Sequence, residues 1–217
     1  MRDSRRLILP VLALAAAAVL LAAAAGARRT PASAAGAPAI SAADRAATFR
    51  FAPGTAPADR AAVLATVADA RRPARRLVGL VDGLVEVRIG STGAAGVLVL
   101  TEGRGGRYTV TLDLGTVAAR YGRRGIDRVV LHELGHVVDA ALVPAPAMAR
   151  LQAGIPAGYG CEGGNVGGCA TPPERFAESF AKWATGDIGV DLYIGYKVPP
   201  PGPTLDAWGA PLAALGR

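Results

Sequence analysis

Apolar residues recur at helical spacing between Gly125 and Leu142. Ile126, Val129, Val130, Leu134, Val137, Val138 and Ala141 form a broad stripe that predicts a buried helix ending before Pro144. A shorter helix over Thr116 to Tyr121 is expected to lead into it. A second strong helical pattern starts at Pro172-Pro173-Glu174, where proline and an acidic residue occupy the first turn; Phe176, Phe180 and Trp183 with Ala177 and Ala184 supply its buried side. Pro57-Ala58-Asp59 opens an alanine-rich helix to about Ala70 with Val63, Leu64 and Val67 inward. Pro73 is expected to interrupt it, with Leu77 to Val81 as a further short helical piece. Thr48 to Phe51 alternates as a strand would. Leu84 to Ile89, Gly96 to Thr101 and Tyr108 to Leu114 are three more strand candidates between glycine-rich turns. Helical residues also follow Pro144. The tail from Val198 to Arg217 carries five prolines and reads as extended over the surface. The sum is an α+β domain, a mixed sheet with helices.

Residues 1–34 stand outside this pattern. Arg2, Arg5 and Arg6 head an uncharged apolar run of 19 residues, Leu7 to Ala25, followed by small residues at Ala25-Gly26-Ala27 and Ala32-Ser33-Ala34. This predicts a secretory signal peptide. The run is just long enough for an N-terminal membrane anchor, but its alanine content and Pro10 favour cleavage. Ser4-Arg5-Arg6-Leu7-Ile8-Leu9 also resembles a twin-arginine export signal. Residues 35–47 form an Ala/Pro/Ser/Gly linker, and residues 48–217 remain as one catalytic domain with a proline-rich tail. A secreted or extracytoplasmic monomer is expected, tethered to the membrane only if the signal stays uncut.

Composition changes the picture in two ways. Taking away residues 1–34 removes five arginines and one aspartate, which lowers the formal charge from +7 to +3. No basic cluster with interleaved aromatics is left, so nucleic acid is not an expected partner. Cys161 and Cys169 are the chain's two cysteines; in an oxidising compartment they are expected to form a disulfide closing the loop Glu162 to Gly168, the alternative being two free thiols.

The chemistry sits on the first helix. The chain has two histidines, and they stand four apart in His132-Glu133-Leu134-Gly135-His136. With two histidines, that gap arises by chance in about one chain in a hundred. On a helix both imidazoles share a face and can bind one metal ion, with Glu133 projecting toward it as general base. Catalytic zinc takes three protein ligands and an open position. A third histidine six residues on would be at position 142, which is leucine, so the remaining ligand is a carboxylate. Glu174 and Glu178 offer two, four apart on one helical face. Asp139, three residues after His136, could hold an imidazole from behind or cap the end of its helix.

His132-Glu133-Leu134-Gly135-His136, followed 38 residues after His136 by Glu174-Arg175-Phe176-Ala177-Glu178, resembles the gluzincin group of zinc metallopeptidases. It is similar in particular to the compact minigluzincins and the catalytic domain of anthrax lethal factor. The likeness covers about residues 108–185. It implies a zincin-like fold, in which an edge strand, expected at Tyr108 to Leu114, packs on the metal-binding helix and pairs with an extended substrate. It implies Zn2+ held by His132, His136 and Glu174, with Glu178 orienting a ligand histidine; the reverse roles for the two glutamates stay open. In lethal factor a tyrosine upstream of the second motif stabilises the oxyanion, and Tyr159 in the pair Tyr159-Gly160 is similar to it.

The function these residues imply is a zinc-dependent endopeptidase acting on a protein or peptide substrate, with Glu133 assisting attack of zinc-activated water. Two alternatives remain at this level: a zinc-binding structural or binding module without hydrolysis, and a zinc amidase acting on non-protein amides such as cell-wall crosslinks.

Overall fold

The computed structural model describes residues 49–216, except 92, 102–106, 159–168, 190, 191, 193 and 195; residues 97–101 are described by their backbone. The N-terminal apolar run and linker, Tyr159 and Cys161 therefore lie outside the described residues. Among those described, no helix is long and apolar enough to cross a membrane.

Among the described residues, four strands form one sheet: β1 (Arg50–Phe51), β2 (Val85–Ile89), β3 (Gly96–Thr101) and β4 (Arg107–Leu112), in the order β1-β2-β4-β3. β1, β2 and β4 run parallel, and β3 pairs antiparallel with β4, Leu98 opposite Val110. The alternation in β2 and β4 sends Val85, Val87, Tyr108, Val110 and Leu112 into the core, while Glu86 and Arg88 pair on the other face at 2.8 Å. One sheet face is thus covered by helices. The strand expected at the edge, Tyr108 to Leu114, is instead the inner strand β4. β4 lies between β2 and β3, so the edges are β1 and β3.

Among the described residues, six α-helices complete the mixed α/β architecture: α1 (Pro57–Asp69), α2 (Arg72–Val81), α3 (Leu114–Leu142), α4 (Ala145–Ala153), α5 (Pro172–Thr185) and α6 (Leu205–Leu215). Pro73 does not simply interrupt a helix. It sits in the first turn of α2, where a missing N–H costs nothing. α3 is two helical arms joined at Gly122, whose φ of 62° and ψ of −156° break the helical path. Asp113 caps the first arm by accepting from the Thr116 amide at 3.0 Å. The second arm is the long apolar stripe.

The proline-rich tail is not an extended surface segment. After Pro203 comes α6, which holds Pro211 within it and is capped by Thr204, whose hydroxyl accepts from the Ala207 amide at 3.1 Å. Trp208 and Leu212 are buried one turn apart. Trp208 donates its indole N–H to the Leu151 carbonyl at 3.1 Å and packs tilted against Phe176 of α5, with ring centroids 6.0 Å apart. Gly209 leaves room for the Trp183 indole, which a Cβ would strike. α6 thereby braces the helix that carries Glu174 and Glu178.

Candidate metal centre

The site is made by two helices that approach closely. Gly135, in the turn between the two histidines, faces α5; a Cβ there would lie 3.1 Å from the Phe180 ring and 3.2 Å from the Ala177 Cα. The absence of a side chain lets the second arm of α3 and the start of α5 come together. Gln152 of α4 secures that start, donating to the Pro172 carbonyl at 2.7 Å.

His132 and His136 share one helical face and meet edge to face, with ring centroids 4.9 Å apart. Glu174, in the first turn of α5, places Oε2 3.0 Å from Nε2 of His132 and 3.4 Å from Nε2 of His136. The positive end of the α5 dipole favours a carboxylate at this position. The donor atoms of the three residues all lie within 4.8 Å of one another. Two imidazole nitrogens and one carboxylate oxygen, converging and half-buried, form a triad that could hold a metal ion.

The charges agree with this geometry. Burial alone would pull the His132 pKa down, but hydrogen bonds to Glu174 and Glu178 and the charges of Glu133 and Glu178 outweigh it and raise the imidazole to about 10. Burial would push Glu174 up, yet its hydrogen bonds to both histidines hold it well below the usual carboxylate range. Without a metal, a proton on His132 answers the carboxylates around it.

Glu178, one turn along α5, lies on the other side of the His132 ring, with Oε2 3.4 Å from Nδ1. Glu174 and Glu178 therefore face opposite nitrogens of one imidazole, with Glu174 alone of the two between both histidines. Glu133 is buried, and burial raises its pKa against the charges of His132 and His136. β3 passes directly over it: a Cβ on Gly96 would lie 2.5 Å from Glu133 Oε1. Asp139 is half-buried near the end of α3, where burial raises its pKa and the charge of His136 lowers it; its backbone carbonyl accepts from Val143 at 3.3 Å and closes the helix. Cys169 is disulfide-bonded.

Three residues near the site were not singled out by the sequence patterns. Tyr196 is half-buried, and burial together with the charge of Glu174 raises its pKa. Arg128 and Lys182 are buried cations that both bond Glu178. Their signal was present in the spacing: Arg128 stands four residues before His132, and Lys182 four after Glu178, each on the face already marked by the motif.

No protein-family model, curated protein or solved structure matches this chain.

Proposed function

We propose that the protein is an extracytoplasmic zinc-dependent endopeptidase of the gluzincin kind, with a zincin-like fold. The observation that carries this reading is the Glu174 carboxylate between the Nε2 atoms of His132 and His136, with the buried carboxyl of Glu133 on the same helix. A buried carboxyl beside two metal-binding imidazoles is what proton transfer next to a Lewis acid requires. The apolar run Leu7 to Ala25 behind Arg2, Arg5 and Arg6, read as an export signal, supports an extracytoplasmic setting.

His132, His136 and Glu174 would hold Zn2+, leaving an open coordination position. When bound, zinc supplies Lewis acidity that lowers the pKa of water and polarises the scissile carbonyl. Glu133 accepts a proton from the attacking water as the new C–O bond forms. It returns that proton to the amide nitrogen as the C–N bond breaks. Burial disfavours the ionised form of Glu133, which suits a group that takes up a proton and gives it back. Glu178 faces Nδ1 of His132 and fixes which nitrogen points to the ligand side. Tyr196, which stays protonated to higher pH than a free tyrosine, is the described candidate for a donor to the oxyanion. The open edge of β3 beside Glu133 offers backbone groups to an extended peptide.

The test is a screen of the purified protein, reconstituted with zinc, against a mixed peptide library read by mass spectrometry. Internal cuts made by wild type and lost in Glu133→Gln support the reading. A zinc-loaded wild type that leaves every peptide intact overturns it.

A further inference from the structure

Three charged side chains are buried together behind the metal-binding face. Arg128 of α3 is 2% exposed, and Glu178 and Lys182 of α5 are 3% and 2% exposed. Both cations converge on one oxygen: Glu178 Oε1 accepts from Arg128 Nη1 at 2.8 Å and from Lys182 Nζ at 2.6 Å. The other oxygen, Oε2, faces Nδ1 of His132. Each cation has a second partner. Arg128 Nη2 donates to the Asp187 carbonyl at 2.9 Å, and Lys182 Nζ donates to the Val198 carbonyl at 2.8 Å.

One connected set of bonds thus joins a metal-binding imidazole to two backbone positions between α5 and α6. The backbone is shaped to receive it. Gly189 has φ 53°, and a Cβ there would collide with the Arg128 guanidinium. The Gly189 amide donates to Asp187 Oδ1 at 2.8 Å, and Arg124 pairs with the same carboxylate. Tyr196 lies between the two anchored carbonyls in sequence.

Stability alone does not account for this arrangement. Buried ion pairs contribute little compared with apolar residues of similar volume, and two cations on one carboxylate also repel each other. The network does hold one carboxylate oxygen so that the other must face His132.

We propose that Arg128 and Lys182 are positioning residues of the metal centre, acting through Glu178 to fix the His132 ring and to tie it to the chain at Asp187 and Val198. This rests on the reading that His132, His136 and Glu174 bind a divalent metal, and it requires no peptidase activity. A carboxylate without its cations is free to turn, and loss of such support behind a ligand histidine weakens metal binding about 10- to 100-fold.

The experiment measures Zn2+ affinity by competition with a chelator, and unfolding without metal, for wild type, Lys182→Met, Lys182→Arg, Arg128→Lys, Glu178→Gln and the Glu178→Gln/Lys182→Met double variant. Lys182→Met should weaken zinc binding about tenfold, Lys182→Arg should recover most of it, and the lysine change should add little once Glu178 is glutamine. Arg128→Lys keeps the charge but cannot span Glu178 and Asp187, so it provides a second reading if Lys182→Met fails to fold. Lower stability with unchanged zinc affinity in Lys182→Met and Arg128→Lys would make the network purely structural and overturn the proposal. An equal loss in both backgrounds overturns action through Glu178. A folded wild type that takes up no zinc overturns this proposal and the metal-site reading together, whereas intact metal effects without peptide cleavage leave this one standing.

Discussion

Glu178 faces Nδ1 of His132 at 3.4 Å, on the opposite side of the ring from the nitrogen that meets Glu174 at 3.0 Å. The two glutamates, one helical turn apart, therefore have separable roles. Glu174→Ala removes a donor atom and should weaken zinc binding by more than about 100-fold, beyond the 10- to 100-fold loss expected for an outer partner such as Glu178. Glu178→Gln should show that smaller loss together with a large fall in stability, about 3 to 5 kcal/mol, because it leaves Arg128 and Lys182 buried against a neutral amide. Chelator competition and denaturant unfolding on each variant check both. A larger zinc loss in Glu178→Gln than in Glu174→Ala would exchange the assignments.

Gly96 tests the proposed base without touching a proposed ligand. A Cβ at this position would lie 2.5 Å from Oε1 and 2.7 Å from Cγ of the buried Glu133, so the whole side chain would have to shift. Gly96→Ala should accordingly cost about 1 to 3 kcal/mol and keep zinc affinity, yet lower kcat about 100-fold by displacing the proposed base. Wild-type turnover in Gly96→Ala would separate the β3 edge from catalysis.

Gly135 tests the helix contact, since its neighbours are backbone and ring atoms of α5. Gly135→Val gains little from helix propensity and must push α3 and α5 apart. The expected cost is about 2 kcal/mol, or about 4 to 8 °C in melting temperature for a domain of this size. Zinc affinity should fall as well, because the same displacement draws Glu174 away from the two histidines. A thermal scan with and without zinc reads both effects.

Much of this centre was legible in the chain because helical spacing encodes a face. His132 and His136, then Glu174 and Glu178, mark two facing stripes, and their apolar companions mark the sides that pack. The strands were legible as segments but not in their order. Nothing local in Tyr108 to Leu112 records that β3 turns back along its outer side, so the inner strand read as the edge. α6 was hidden because the prolines up to Pro203 imply a chain that cannot be helical, while Trp208 and Leu212 behind them carried a buried helix. Tyr196 was missed for a different reason: it sits in no regular element, and only the folding of the chain after α5 brings it under the influence of Glu174.

That influence leads to a test of Tyr196. Its raised pKa keeps the phenol protonated, hence a donor, through the whole neutral and mildly alkaline range. Tyr196→Phe removes the donor and keeps the ring. If the hydroxyl meets the oxyanion, kcat should fall about 100- to 1,000-fold with KM and zinc affinity little changed. A fall in KM or metal affinity in place of kcat would assign the tyrosine to binding or to packing.

Protons should compete with the metal, and the sign follows from His132. Without metal its pKa is raised to about 10, so the imidazolium contributes stability that is complete below about pH 6.5 and disappears as pH rises through about 10. Glu174, held below the usual carboxylate range, has its own contribution in place above about pH 4.5 and loses it as pH falls through the folded value. At neutral pH the metal-free centre is therefore a protonated His132 between ionised glutamates. A metal must displace that proton, whereas Glu174 has none to give. Zinc binding at pH 7 to 9 should release close to one proton from His132, and affinity should drop about tenfold for each pH unit lowered across that range. Calorimetric titrations in buffers of different ionisation enthalpy give the proton count directly. A binding enthalpy that does not depend on the buffer would mean that His132 is already neutral in the metal-free protein, and that Glu174 and Glu178 do not hold the proton between them.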